Sequence, residues 1–273
     1  MPEVSRIPGP LPPGLIAERL ARGHLLLGLD FDGTISELTN NPREAVPIPR
    51  AKAAIAKLIR HREKLTVAIV SGRDLDVLLG LLGLRDGLLF AGTHGLEYIG
   101  HDRVRRFTPG LEECAKDIAK LHKLVARTIP RNRGLIVEDK RVALALNYRN
   151  ALPDDARAAL AAFDGFVAQL PTLQLLQGKM IHEAIPRGIG GKGDALRVLT
   201  QNSGAAATQT AYFGDDITDE DGFRALVPQG GIGVLVGAER PSFAQYRVEG
   251  PTQVADVLED LATALDLTPR LSF

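Results

Sequence analysis

In the stretch LLLGLDFDGTI, residues 25–35, an apolar run ends in Asp30 and Asp32, one residue apart, and Gly33 and Thr34 follow at once. Burying charge is costly. Carboxylates at the end of so hydrophobic a run are either a solvated strand end entering a turn or ligands of something positive. Three further polar groups stand out: Ser71, Gly72 and Arg73 after the apolar LTVAIV, Lys192 inside the glycine-rich turn GIGGKG that precedes a helix, and Asp215 and Asp216 after the apolar TAYFG, with Asp219 close behind. Carboxylates converging on one edge would repel each other unless a cation joined them, and hard oxygen donors suit Mg²⁺. A hydroxyl, a lysine and exposed backbone N–H groups at the same edge suit a phosphoryl group. Metal plus phosphate is the chemistry that uses all four stretches.

These residues need a frame that brings them together. Short apolar runs (HLLLGLDF, LTVAIV, LLFAG, TAYFG, GIGVLV) alternate with segments of helical periodicity, such as IPRAKAAIAKLIRHREK, DLDVLLGLLGL, DALRVLTQN, TDEDGFRALV and VADVLEDLATAL. That alternation predicts right-handed βαβ units on a parallel sheet, where ligands bind beyond the carboxyl ends of the strands. LEYIGHDRVRRF alternates like a hairpin, with turn residues Gly100, His101 and Asp102. Between residues 108 and 187 the order becomes α-β-β-α-β-β, which predicts an antiparallel sheet with helices on one face. The expected organisation is an α/β, Rossmann-like core at 1–107 and 188–273 with an inserted α+β module at 108–187. In that module His182, alternating with Glu183, is expected to face outward.

Composition narrows the functional classes. Lys plus Arg and Asp plus Glu both number 33, a balance that argues against a nucleic-acid or membrane-surface binder. No apolar run approaches the roughly 20 residues that span a bilayer. Cys114 is the only cysteine, so a reducing compartment, the cytoplasm, is the expected location. The opening MPEVSRIPGPLPPG has no basic-then-apolar pattern of a signal peptide, and its prolines suggest an extended or loose arm.

Taken in order, DFDGT, SGR, the lysine of GGKGDAL and FGDDITDEDGF resemble the four motifs of the haloacid dehalogenase superfamily, and the last resembles the trehalose-6-phosphate phosphatases in particular. VEDKRVALALNYR and GKMIHE in the inserted module resemble that family's cap. The resemblance runs from about residue 25 to 236. It implies a Mg²⁺-dependent phosphatase acting on a sugar phosphate, trehalose 6-phosphate, with no nucleic-acid or membrane partner and with trehalose-6-phosphate synthase as a pathway neighbour.

Residue by residue, the resemblance implies Asp30 as nucleophile and Asp32 as general acid and base. Ser71 and Lys192 would bind the phosphoryl oxygens. Mg²⁺ would be held by the Asp30 carboxylate, the Asp32 main-chain carbonyl and Asp215, while Asp216 and Asp219 would orient Lys192 or metal-bound water. Gly72, Arg73, His94 and Gly95 would lie near the substrate, and Glu138, Lys140, Arg149, Lys179 and Glu183 would hold the sugar. Two positions depart from the family pattern: Ile185 stands where a basic residue is usual, and Asn147 where a histidine or aromatic residue is common. They leave open a phosphatase for another sugar phosphate, of the sucrose or glucosylglycerate type. A non-catalytic sensor on the same fold is the alternative from another class.

Overall fold

The computed structural model describes residues 6–39, 44–130, 133–178 and 180–267. Its chain forms two compact units, one made of residues 1–106 and 191–273 and the other of residues 107–190. No helix among the described residues is long and apolar enough to cross a membrane.

The first unit contains β1 (Gly9–Pro10), α1 (Leu15–Ala21), β2 (Leu25–Leu29), α2 (Pro49–Leu58), β3 (Leu65–Val70), α3 (Leu75–Leu82), β4 (Leu88–Gly92), β5 (Glu97–Ile99) and all but the last residue of β6 (Arg105–Phe107). The second holds α4 (Leu111–Thr128), β7 (Ile136–Asp139), β8 (Leu144–Asn147), α5 (Pro153–Ala168), β9 (Leu173–Gly178) and β10 (Ile181–Pro186). The first then resumes with α6 (Lys192–Ser203), β11 (Thr210–Gly214), α7 (Asp219–Leu226), β12 (Ile232–Val236), β13 (Tyr246–Val248) and α8 (Pro251–Asp266).

The large sheet has the order β1-β13-β12-β11-β2-β3-β4-β5-β6. Pairing is parallel from β1 through β4 and turns antiparallel at β4–β5. Every residue of β2 is buried, as expected of a central strand covered on both faces. Alternation divides it: Leu25, Leu27 and Leu29 join the core that includes residues of α2 and α8, and Leu26 joins the core with α6 and α7 residues. Because β11, β2, β3 and β4 are consecutive neighbours, the loops carrying Asp215, Asp30, Ser71 and His94 leave one edge side by side. The sheet order thus gathers the motifs.

The second unit is a four-stranded antiparallel sheet, β7-β8-β10-β9. Val137, Leu144, Leu146 and Ala184 belong to its helix-covered core around Phe163. The intervening residues Glu138, Ala145 and Glu183 therefore fall on the opposite face, and the register aligns them in one row across three strands.

Several details differ from the sequence reading. Helix α2 stops at Leu58 rather than running on to Lys64, because the His61 carbonyl accepts from both Lys64 N and Leu65 N in a tight turn. Lys192 is the first residue of α6, not a loop residue before it. The described part of the proline-rich start is extended but not loose: Gly9 and Pro10 pair with β13, and Pro10 sits on the sheet edge where its missing N–H costs nothing. Helix α1 and strand β13 are too short to carry a clear period. His182 faces α5 instead of solvent, with Nδ1 2.8 Å from Asp164 Oδ1 and its ring edge-on to Tyr148.

Phe163 is wholly buried at the centre of the second unit's core. Phe163→Ala should therefore cost about 3–5 kcal/mol of that unit's stability, measured as a shift of its urea unfolding midpoint.

Candidate active site

Asp30 follows β2 directly and is only 4% exposed. Its main-chain N–H donates to the Phe213 carbonyl at 2.9 Å, so the neighbouring strand fixes its backbone. Its Oδ1 accepts from Lys192 Nζ at 2.7 Å, and the same ammonium donates to Asp219 Oδ1 at 2.6 Å. Tyr212 hydroxyl also donates to Asp219 Oδ1, while Asp216 N donates to Asp219 Oδ2 at 2.9 Å. Asp219 is thus a fully buried hub that orients the lysine. Asp221 Oδ2 accepts from Gly193 N at 2.8 Å and caps the start of α6 beside Lys192.

Around Asp30 the loops interlock. Both oxygens of Asp32 accept from Arg73, at 2.6 Å from Nε and 2.5 Å from Nη2, the forked geometry of a guanidinium on a carboxylate. Ser71 is buried, and its Oγ accepts from Arg73 N at 3.1 Å. Gly33 has φ +76°, and a Cβ there would lie 2.1 Å from Asp215 Oδ2. Only glycine lets Asp215 come so close.

The loop after β4 binds the others through its backbone. Thr93 N donates to the Arg73 carbonyl at 2.8 Å, His94 N to the Ser71 carbonyl at 3.1 Å, and Gly191 N to the His94 carbonyl at 2.7 Å. Thr93 and His94 both have positive φ, 46° and 55°, a strained conformation found mostly where function demands it. Gly72 makes room for the His94 ring, which a Cβ would meet at 2.5 Å. Thr93 Oγ1 and Leu75 N both donate at 2.9 Å to the buried Glu97, which fastens this turn to α3. Gly95 is buried at the end of the same turn.

One oxygen each from Asp30, Asp215 and Asp219 lie within 4.8 Å of one another. Burial pushes Asp30 well above the usual carboxylate range, an effect that the charge of Lys192 only partly offsets and that Asp219 and Asp215 reinforce. Burial and the neighbouring Asp219 push Asp215 up to about 7. Burial alone would lower Lys192, but Asp219 and Asp30 outweigh it and hold the ammonium charged. Three carboxylates thus face one lysine. The missing positive charge and the all-oxygen donor set fit a hard divalent cation.

The second unit holds the remaining expected residues. Lys140 Nζ lies 2.9 Å from both Glu183 oxygens in a buried pair. Glu138 is half-buried in the same row as Glu183. Arg149 is half-buried, and its N–H donates to Asn147 Oδ1 at 3.1 Å. Ile185 is buried in β10. Lys179 lies outside the described residues.

A profile of the trehalose-phosphatase family matches residues 28–252. The chain belongs to that family. It is 32% identical over 265 residues to a trehalose-phosphate phosphatase of Mycobacterium avium, covering 92% of this chain and 65% of that protein. A Mycobacterium marinum relative of the same name is 34% identical over 249 residues, covering 86% of this chain and 61% of the relative. The chain therefore spans about two thirds of the length of these curated relatives. The solved C-terminal domain of Candida albicans trehalose-6-phosphate phosphatase superimposes with a TM-score of 0.79 at 22% identity, over 94% of this chain and 99% of that one. That likeness establishes the fold, a parallel-sheet unit into whose chain a second unit with an antiparallel sheet is inserted.

Sequence reading did not single out Tyr212, Thr93, Glu97, Glu220 or Arg240. Tyr212 had a signal: its phenol hydroxyl stands in the middle of the apolar run TAYFG, on the parity that faces α6 and α7.

Lys192→Met should leave the buried carboxylates without their ammonium. Breaking a buried pair in this way costs about 3–5 kcal/mol, to be read from denaturant unfolding of the metal-stripped protein.

Proposed function

We propose that this chain is a divalent-metal-dependent phosphatase that hydrolyses trehalose 6-phosphate to trehalose and inorganic phosphate through an aspartyl-phosphate on Asp30. The observation that carries the reading is the buried Asp30 carboxylate at the end of β2, 2.7 Å from Lys192 Nζ and grouped with Asp215 and Asp219. Such a carboxylate has few structural uses and one clear chemical use, as an oriented nucleophile.

An oxygen of Asp30 attacks phosphorus in line with the sugar oxygen, and the P–O bond to the sugar breaks. Asp32 gives its proton to the departing sugar oxygen. Water then attacks the phosphorus of the acyl phosphate, Asp32 takes the water's proton, and phosphate leaves with the Asp30 carboxylate restored. A positioned proton shuttle of this kind contributes about 10²- to 10⁴-fold. The fork of Arg73 on Asp32 suits the second step, in which Asp32 acts as a base. Acting as an acid, Asp32 carries a proton on one oxygen and has to give up part of that fork.

Lys192 and the Ser71 hydroxyl offset charge on the phosphoryl oxygens. Asp30, the Asp32 carbonyl and Asp215 would hold Mg²⁺, which supplies Lewis-acid charge neutralisation when bound. The row of Glu138 and Glu183 with Lys140 is the proposed sugar-binding surface, because a neutral disaccharide can be gripped only through its hydroxyls and charged partners make the stronger hydrogen bonds. Ile185 favours a second reading, a phosphatase for a different sugar phosphate, and a phosphate-release panel of sugar phosphates separates the two.

Asp30→Asn should fold normally and lose at least a thousandfold in phosphate release, since an amide cannot form the acyl phosphate. Near wild-type turnover in that variant overturns the mechanism. Glu138→Ala should lose about tenfold or more on trehalose 6-phosphate while hydrolysing p-nitrophenyl phosphate as well as the parent does. Equal losses on both substrates would remove Glu138 from sugar binding.

A further inference from the structure

Five acidic residues crowd into seven positions, Asp215, Asp216, Asp219, Glu220 and Asp221. Mutual repulsion should push such a loop open, yet it must present Asp215 at a fixed place. Lys192 restrains it through Asp219. A second restraint lies on the far side of the loop, in a segment that none of the motifs covers.

Arg240, between β12 and β13, directs its guanidinium in two ways. Its Nη1 donates to Glu220 Oε1, and its Nη2 donates to the main-chain carbonyls of Asp215 and Asp216, at 3.3 and 3.1 Å. Glu220 is itself held, since its Oε2 accepts from Ser242 Oγ at 3.1 Å and from Phe243 N at 2.8 Å. Ser242 is buried, and its N–H and carbonyl are both bonded to Arg6 at 2.9 Å. The anchoring end of this clasp is thus tied to the sheet's edge segments, and its free end grips the backbone of the acidic loop.

We propose that Arg240, clasped by Glu220, is a positioning residue for the metal site: it holds the carbonyls of Asp215 and Asp216 so that the Asp215 carboxylate meets the cation preformed. The inference rests on the metal reading given above. It assigns Arg240 no contact with substrate or metal. Its distinctive consequence is the sign of its effect. A cation beside a metal site should weaken metal binding through space, so deleting it should tighten Mg²⁺ if charge alone matters. Positioning demands the reverse. Groups that orient metal ligands typically change affinity by about 10- to 100-fold.

The test is calorimetric titration of Mg²⁺ into the metal-stripped full chain, with thermal unfolding of each variant recorded in parallel. Arg240→Ala and Arg240→Lys should both bind Mg²⁺ about tenfold more weakly than the parent, the lysine failing because one ammonium cannot span Glu220 and two carbonyls. Arg240→Lys keeps the charge next to buried Glu220, so it answers the question even if the alanine variant does not fold. Tighter binding in Arg240→Ala, or unchanged binding in Arg240→Lys, overturns the clasp. A parent protein that takes up no Mg²⁺ overturns the metal reading itself and the clasp with it.

Discussion

A carboxylate that is 4% exposed must still be an anion if it is to attack phosphorus, and the 2.7 Å contact between Asp30 and Lys192 is the interaction that begins to make this possible. Desolvation opposes the charge, and Asp215 and Asp219 oppose it further. One ammonium shared between Asp30 and Asp219 cannot neutralise three acids. The site is therefore electrostatically incomplete in the protein alone, and the account of metal, phosphate and catalysis follows from that imbalance.

The fold supplies what the imbalance requires. Neighbouring parallel strands β11, β2, β3 and β4 deliver the acidic loop, Asp30, the Ser71 loop and the His94 turn to one edge. Each loop is then locked to the next by main-chain bonds, from Thr93 to Arg73, from His94 to Ser71 and from Gly191 to His94. A water-filled loop cluster could screen the carboxylates but could not hold them. Here rigidity comes from those backbone hydrogen bonds together with the Arg73–Asp32 fork and the Asp219 hub.

Much of this was readable in the residues. Continuous apolar runs with Asp or Ser immediately after them mark buried strands and the edge where ligands bind. Pairings between distant segments were not readable, because no local period encodes them: Arg73 with Asp32 and Arg240 with Glu220 lie 41 and 20 residues apart. Lys192 reads as a loop residue because glycines precede it, yet the Asp221 cap on Gly193 N lets the helix begin there. His182 reads as outward because its neighbour is Glu183, whereas Asp164 on α5 gives its ring a partner on the inner face.

The central claim, that Asp30 is the atom donor of a covalent intermediate, is tested most directly by trapping it. The protein incubated with trehalose 6-phosphate and Mg²⁺ is quenched in acid, reduced with borohydride, which converts an aspartyl-phosphate to homoserine, and examined by peptide mass spectrometry. Homoserine at position 30, formed only with both Mg²⁺ and substrate, is the expected result. Homoserine at Asp32 or Asp215 instead, or turnover with position 30 unmodified under conditions that trap a control aspartyl-phosphate, would contradict the account.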